Sequence, residues 1–252
     1  MSLRTLWVLY RREMRGIFVS PVAWIVLAGC ALVVGAGFSM ILSTLVERSV
    51  RGVSVLNVTL MSYIFWFTVL IQAPLISMRT FSEEYKLGTI EMLLTAPVRE
   101  WEVVLAKFAG VFSFYVVLWL PAALNIVWLY TFSDQKFDLT WPVVLLSFGM
   151  VALLGMLFVS IGLFASALTK NQIIAAIVGF ALIFLVFSLS LFGSLITDDA
   201  AQEVVRYCSI YQHMETWAGG IFDTRPLVFC LSGTALFLFL TQRVLEARRL
   251  RS

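Results

Sequence analysis

The sequence predicts an all-α membrane protein with six transmembrane helices, and two observations carry that prediction. Of its 252 residues, 61% are hydrophobic and 13% are charged, whereas a soluble domain needs about 25% charged residues to cover its surface. The shortfall is also uneven, because long apolar stretches alternate with short polar ones. A bilayer core about 30 Å thick asks for roughly 20 apolar residues per helix. Six stretches meet that length, at residues 21–43, 58–78, 109–132, 141–168, 172–196 and 227–242. Helices are the expected form, since backbone groups that face lipid must be paired within their own segment. No tandem repeat, low-complexity linker or separate soluble domain interrupts the pattern, so residues 1–252 read as one transmembrane domain.

Residues 1–19 precede the first span and read as an interfacial helix. Leu3, Leu6, Trp7, Tyr10, Met14, Ile17 and Phe18 recur at helical spacing, with Arg4, Arg11, Arg12 and Arg15 on the other side. Such a helix lies in the headgroup plane and turns its arginines toward anionic membrane lipid. Ser20-Pro21 then opens the first span, a capping residue followed by proline at the first helical position. Within that span Leu27-Ala28-Gly29-Cys30 matches a lipoprotein cleavage motif, but Ala31-Leu32-Val33-Val34 continues the apolar run and marks a span. Ala31, Gly35, Ser39 and Ser43 place a small residue at every fourth position, as Gly155, Gly162 and Ser166 do approximately in the fourth span. Small stripes let helices approach closely. Packing inside one subunit is the first reading and a dimer seam the second.

Thirteen lysines and arginines fall on the side that holds both termini and the second and fourth loops, against five on the other side. The richer side is expected to be cytoplasmic, which predicts a multi-pass protein of the bacterial inner membrane with both ends inside. The sequence pI near 8.9 follows from this asymmetry, and no basic patch points to nucleic acid.

The second loop, residues 79–107, is the most polar part of the chain. A helix is expected up to about Leu87, broken by Gly88, then a short helix capped by Thr89 and stopped before Pro97. Arg79 can pair with Glu83 four positions on, and Glu83 with Lys86. Leu87, Ile90 and Leu94 form an apolar stripe, which suits either a docking knob for a partner or a solvated loop tied by local ion pairs. The loop at residues 197–226 is too apolar to run free. Val204, Val205, Tyr207, Ile210 and Tyr211 at helical spacing, then Trp217, Gly219-Gly220, Ile221 and Phe222, predict re-entrant or interfacial helices between the fifth and sixth spans. Cys30, Cys208 and Cys230 lack metal-ligand spacing and an obvious pair, and read as packing residues.

The absent chemistry narrows the function. No ionisable residue falls within the six predicted spans, where ion-coupled carriers and pumps place theirs. Gln72, Asn125 and hydroxyls are the polar interior groups of note. The single histidine, His213, lies in an outer loop and reads as a surface or capping residue, so a membrane-depth serine protease is excluded. No metal cluster and no phosphate-binding glycine loop are present in the sequence. Trp66, Phe67, Phe114 and Tyr115 read as packing or lipid-facing aromatics. No catalytic or metal-binding residue is assigned, and energy for uphill transport has to come from another subunit.

The motif Arg79-x-Phe81-x-Glu83-Glu84-x-x-x-Gly88-Thr89-x-Glu91-x-Leu93-Leu94-x-x-Pro97, followed by Lys107, resembles the ABC-2 type transporter permeases over nearly the whole chain. The resemblance implies that residues 79–100 hold the coupling helix that docks on a cytoplasmic ABC ATPase. It also implies that Arg11-Arg12-Glu13 before Ser20-Pro21 belongs to a connecting helix. The sequence departs at Tyr85-Lys86, where the family often has two basic residues. His213-Met-Glu215-x-Trp217-x-x-Gly220-Ile221-x-Asp223 and the run Phe237 to Arg249 look like the gliding-motility-associated branch, which implies a partner with a large extracytoplasmic domain. Further implications are a second permease copy, a homodimer or pseudo-dimer, and ATP and Mg held by the ATPase rather than by this chain. Two functions remain open on these grounds. One is a permease moving a substrate, in the direction of export. The other is a membrane anchor of an ATP-driven mechanotransmission or surface-motility complex.

Overall fold

The computed structural model describes residues 3–47, 54–89, 99–132, 140–192, 203 and 207–249. Among these the protein is helical, in the order α1 (Leu3–Val19), α2 (Pro21–Glu47), α3 (Val55–Met61), α4 (Tyr63–Ser77), α5 (Arg79–Leu87) and α6 (Glu100–Leu118). The chain continues through α7 (Leu120–Phe132), α8 (Trp141–Leu168), α9 (Gln172–Phe192), α10 (Ile210–Ala218) and α11 (Arg225–Arg249). Among the described residues, six helical runs are long and apolar enough to cross a bilayer: Pro21–Leu45, Tyr63–Leu87, Glu100–Phe132, Trp141–Leu168, Gln172–Ser190 and Arg225–Arg249. The six-helix expectation therefore holds.

The bundle is built around α8, which packs against α4, α5, α6, α9, α10 and α11. Leu154, Phe158, Ile161 and Leu163 are fully buried along it. Its small residues admit neighbours: a Cβ on Gly155 would stand 2.0 Å from the Tyr115 ring, and one on Gly162 would stand 1.9 Å from Ser77 Oγ. The stripe in α2 behaves differently. Gly35 has open space beside it, and Ser39 and Ser43 are exposed. The expectation of packing within the subunit is corrected there, because this stripe faces out of the bundle.

The spans begin and end at places set by local chemistry. The second starts at Tyr63 rather than 58, because Ser62 turns extended (φ −67°, ψ 148°) and its hydroxyl accepts the Phe65 N–H at 3.2 Å. That serine separates the short α3 from the span. The third span starts nine residues earlier than predicted, at Glu100. It is broken at Trp119, where the N–H bonds back to Val116 O at 3.1 Å in a tightened turn. Pro121, which lacks an N–H, follows this break. The helix of the sixth span runs beyond both predicted ends.

One end of the bundle is closed by α3 and α10. Ile210 and Met214 are fully buried and Trp217 is 4% exposed, against α8 and α3. Trp66 lies between Phe187 and Tyr211, with ring centroids at 5.0 and 5.8 Å. The described part of the predicted interfacial helices thus folds onto the bundle, while residues 197–202 and 204–206 lie outside the described residues. His213 is corrected from a surface residue: it is 5% exposed, and its Nε2 meets Tyr207 O at 2.8 Å. Burial pushes its pKa below the ordinary histidine value, against the opposing pull of that backbone hydrogen bond.

Candidate functional site

The opposite end gathers the charged chemistry, and its geometry starts at the joint between α4 and α5. The helix is interrupted at Met78, between α4 and α5. Ser166 of α8 braces this joint, its Oγ accepting from Phe81 N at 3.0 Å and Ser82 N at 3.1 Å while donating to Met78 O at 2.9 Å. One hydroxyl therefore fixes the angle at which α5 leaves the second span. α5 ends at Gly88, in the left-handed region (φ 71°) that costs glycine nothing.

α5 is amphipathic, and its inner face meets a buried cation. Lys107 of α6 has a side chain only 3% exposed. Its three N–H donors go to Glu84 Oε1 at 2.8 Å, Glu13 Oε1 at 3.1 Å and Thr80 O at 3.1 Å, which saturates an ammonium. The ammonium also lies 5.3 Å from the Phe81 ring centroid. Arg12 adds a longer contact to Glu84, 3.5 Å. A single lysine thus ties α1, α5 and α6 together. The expectation that no ionisable residue lies within a span is corrected here. The α6 helix runs unbroken through Glu102 and Lys107, and two carboxylates supply the compensation that a buried charge needs.

α1 packs along α6 rather than resting on lipid alone. Tyr10 Oη and Ser113 Oγ are 3.0 Å apart, and a Cβ on Gly110 would sit 3.1 Å from Glu13 Cβ. Arg11, Arg12 and Arg15 are exposed, as predicted for the outer side, and Trp7 is exposed while stacking on Tyr10 at 5.5 Å.

The C-terminal end of α11 closes the same region. Arg248 donates to Leu168 O, the end of α8, at 2.7 Å, and its guanidinium lies 4.3 Å from the Tyr85 ring centroid. Arg249 pairs with Glu100 at 2.5 Å. The two arginines therefore hold positions on either side of residues 90–98: Tyr85 in α5 and Glu100 at the start of α6.

The predicted docking residues divide into groups. Phe81 is fully buried and Glu84 faces Lys107, so both support the end from within. Arg79 and Glu83 pair at 3.4 Å on its outer side, where Lys86, Leu87 and Gly88 are exposed. Thr89 Oγ1 reaches Glu84 O at 3.4 Å. Glu91, Leu93, Leu94 and Pro97 lie outside the described residues. Sequence reasoning missed the parts played by Lys107, Ser166, Arg248 and Arg249. The signal for Lys107 was a lone lysine among apolar residues, Ala106 and Phe108, at helical spacing from Glu100 and Val104.

The pattern that defines the ABC-2 family transporter proteins matches residues 67–250, from within α4 to the end of α11. The chain belongs to that family. No protein with curated function matches it. The matched region holds four whole spans and most of the second, the α5–α6 region and both C-terminal arginines, while α1, α2 and α3 precede it. This ABC-2 protein is accordingly the membrane component of a transporter, a multi-pass permease.

Proposed function

We propose that this ABC-2 permease draws its energy from a separate ATP-hydrolysing subunit that docks beyond Gly88, on residues 89–98 and the exposed side of α5. The carrying observation is the buried Lys107, which links α5 to α6 and α1 through Glu84 and Glu13. A push on the segment after Gly88 meets α5 at one end and, through the Arg249–Glu100 pair, α6 and α11 at the other. Motion there is then shared by the second, third and sixth spans instead of dissipating in a loop. Differential binding of the ATPase to two arrangements of this end supplies the work. ATP and Mg belong to that subunit.

The surrounding reading is a pair of permease copies in the bacterial inner membrane, with both termini on the ATPase side, exporting a substrate. An interior whose polar groups are mostly hydroxyls and amides suits a lipid-like, amphipathic or extended polymeric substrate better than a small ion. The test is purification of the tagged chain from its native membrane in mild detergent. A stoichiometric nucleotide-binding ATPase that is lost with Gly88→Pro and Leu87→Asp, while the permease stays monodisperse, supports the reading. Recovery of the permease alone from wild type, or an ATPase retained by both variants, refutes it.

A further inference from the structure

Beside the Lys107 cluster lies a cleft of about 440 Å³ between α1, the start of α2, the α4–α5 joint and α6. That is within the roughly 300–1,000 Å³ typical of small-molecule sites. Its two halves differ. The lining includes the buried apolar Val26 and Phe114 with Val22, and the more exposed charged side chains of Arg12, Arg79 and Glu83. Ser20 and Val22, on either side of Pro21 where the first apolar run begins, both line the cleft, which is where a polar boundary is expected from the sequence. A ligand with a charged head and an apolar tail matches this division.

The charge pattern narrows the head. Three cations (Arg12, Arg79, Lys107) and three carboxylates (Glu13, Glu83, Glu84) line the cleft. Lys107 is committed to Glu13 and to Glu84 Oε1. The Arg12 guanidinium lies 3.5 Å from Glu84, and Arg79 reaches Ser20 Oγ at 3.2 Å and Glu83 at 3.4 Å. The Glu83 side chain is 41% exposed, whereas Glu84 Oε2 is buried out of reach of the cleft. A purely anionic head would draw the arginines to its phosphate and away from Glu83 and Glu84. A head carrying both a phosphate and a primary ammonium satisfies both signs, and the ammonium supplies N–H donors to Glu83. A quaternary ammonium carries no such proton.

We propose that this cleft is a binding site for a zwitterionic aminophospholipid of the phosphatidylethanolamine class. Its phosphate sits on the Arg12 and Arg79 guanidinium groups, its ammonium on Glu83, and one acyl chain runs along Val22, Val26 and Phe114. The lipid completes the wall between α1 and α5 and holds the interfacial helix against the bundle. The site stands independently of the ATPase reading, since it is read by lipid mass alone.

The experiment is native mass spectrometry of the full-length, delipidated protein in detergent. It is offered equimolar phosphatidylethanolamine, phosphatidylcholine and phosphatidylglycerol with matched acyl chains. Phosphatidylethanolamine is expected to be retained as one molecule per chain and in preference to both others. Arg12→Ala, at a side chain 59% exposed and so without risk to folding, is expected to lower that retention about tenfold, the scale of one lost charge-assisted contact. Glu83→Gln is expected to narrow the preference for ethanolamine over choline. Equal retention of the three lipids, a preference for phosphatidylglycerol, or retention of phosphatidylethanolamine unchanged in both variants overturns the proposal.

Discussion

Replacing Lys107 by methionine keeps the length of the side chain and removes its charge, and the structure sets the size of the effect. The ammonium lies 2.8 Å from Glu84 and 3.1 Å from Glu13. At an effective dielectric constant of about 20 these contacts correspond to gross attractions of about 6 and about 5 kcal/mol. Desolvation of the three groups offsets most of that, so the pairs add little net stability while intact. Removal of one partner is another matter. In Lys107→Met, two carboxylates with side chains 14% and 20% exposed face each other with only the largely exposed Arg12, 3.5 Å from Glu84, as a cation, and Thr80 O loses its donor. Breaking a buried pair in this way costs about 3–5 kcal/mol. The assay is equilibrium unfolding in mixed detergent micelles, followed by tryptophan fluorescence. Adding Glu13→Gln and Glu84→Gln to Lys107→Met removes the repulsion and is expected to recover about half of the loss, because amides are cheaper to bury than charges. A loss below about 1 kcal/mol would place the cluster with solvent-exposed ion pairs. That result, or a triple variant no more stable than the single one, refutes the reasoning.

Other outcomes follow from single contacts. Gly155→Ala forces a methyl into the fully buried Tyr115 ring and is expected to cost about 1–3 kcal/mol in the same unfolding assay, whereas Gly35→Ala, with open space around it, leaves the monomer unchanged. Gly88→Ala must hold φ at 71° and is expected to lose about 1 kcal/mol locally, seen as faster hydrogen exchange in α5. Arg248→Ala removes the donor to Leu168 O and the cation over Tyr85. It is expected to raise exchange at the ends of α5 and α8, with Arg248→Lys restoring only part of the protection, since lysine lacks the planar fork. His213 is held below its ordinary pKa of 6.5 by burial. The unfolded chain therefore takes up a proton before the folded one does, and stability that is complete above pH 6.5 is lost as the pH falls below it. Thermal unfolding at pH 7.5 and 5.5 checks this, and His213→Phe is expected to lose that part of the pH dependence.

The number of spans was legible because it depends on a one-dimensional quantity: the length of apolar chain that a bilayer demands. Gly88 was legible as a break for a similar reason, since a left-handed residue after a helical run depends on its own backbone. The pairing of Arg79 with Glu83 needed only helical spacing. The start of the third span was misread because Glu100, Glu102 and Lys107 lower the local hydropathy. Hydropathy does not register that a carboxylate 94 positions away in sequence, Glu13, waits beside Lys107.

What the sequence determined by itself was thus the class of the protein, the six spans, the helix break at Gly88 and the polarity of the end that α5 builds. These follow from side-chain transfer free energies and local backbone preferences, which act over a few turns. Tertiary structure alone decided that Phe81 and Glu84 turn inward, that Ser166 sets the angle of α5, that His213 is buried, and that Arg248 and Arg249 secure the far side of the same end. Each of those facts joins helices separated by many residues. Such contacts exist only once close packing around α8 has fixed which faces meet, and no periodicity within a single segment encodes that choice.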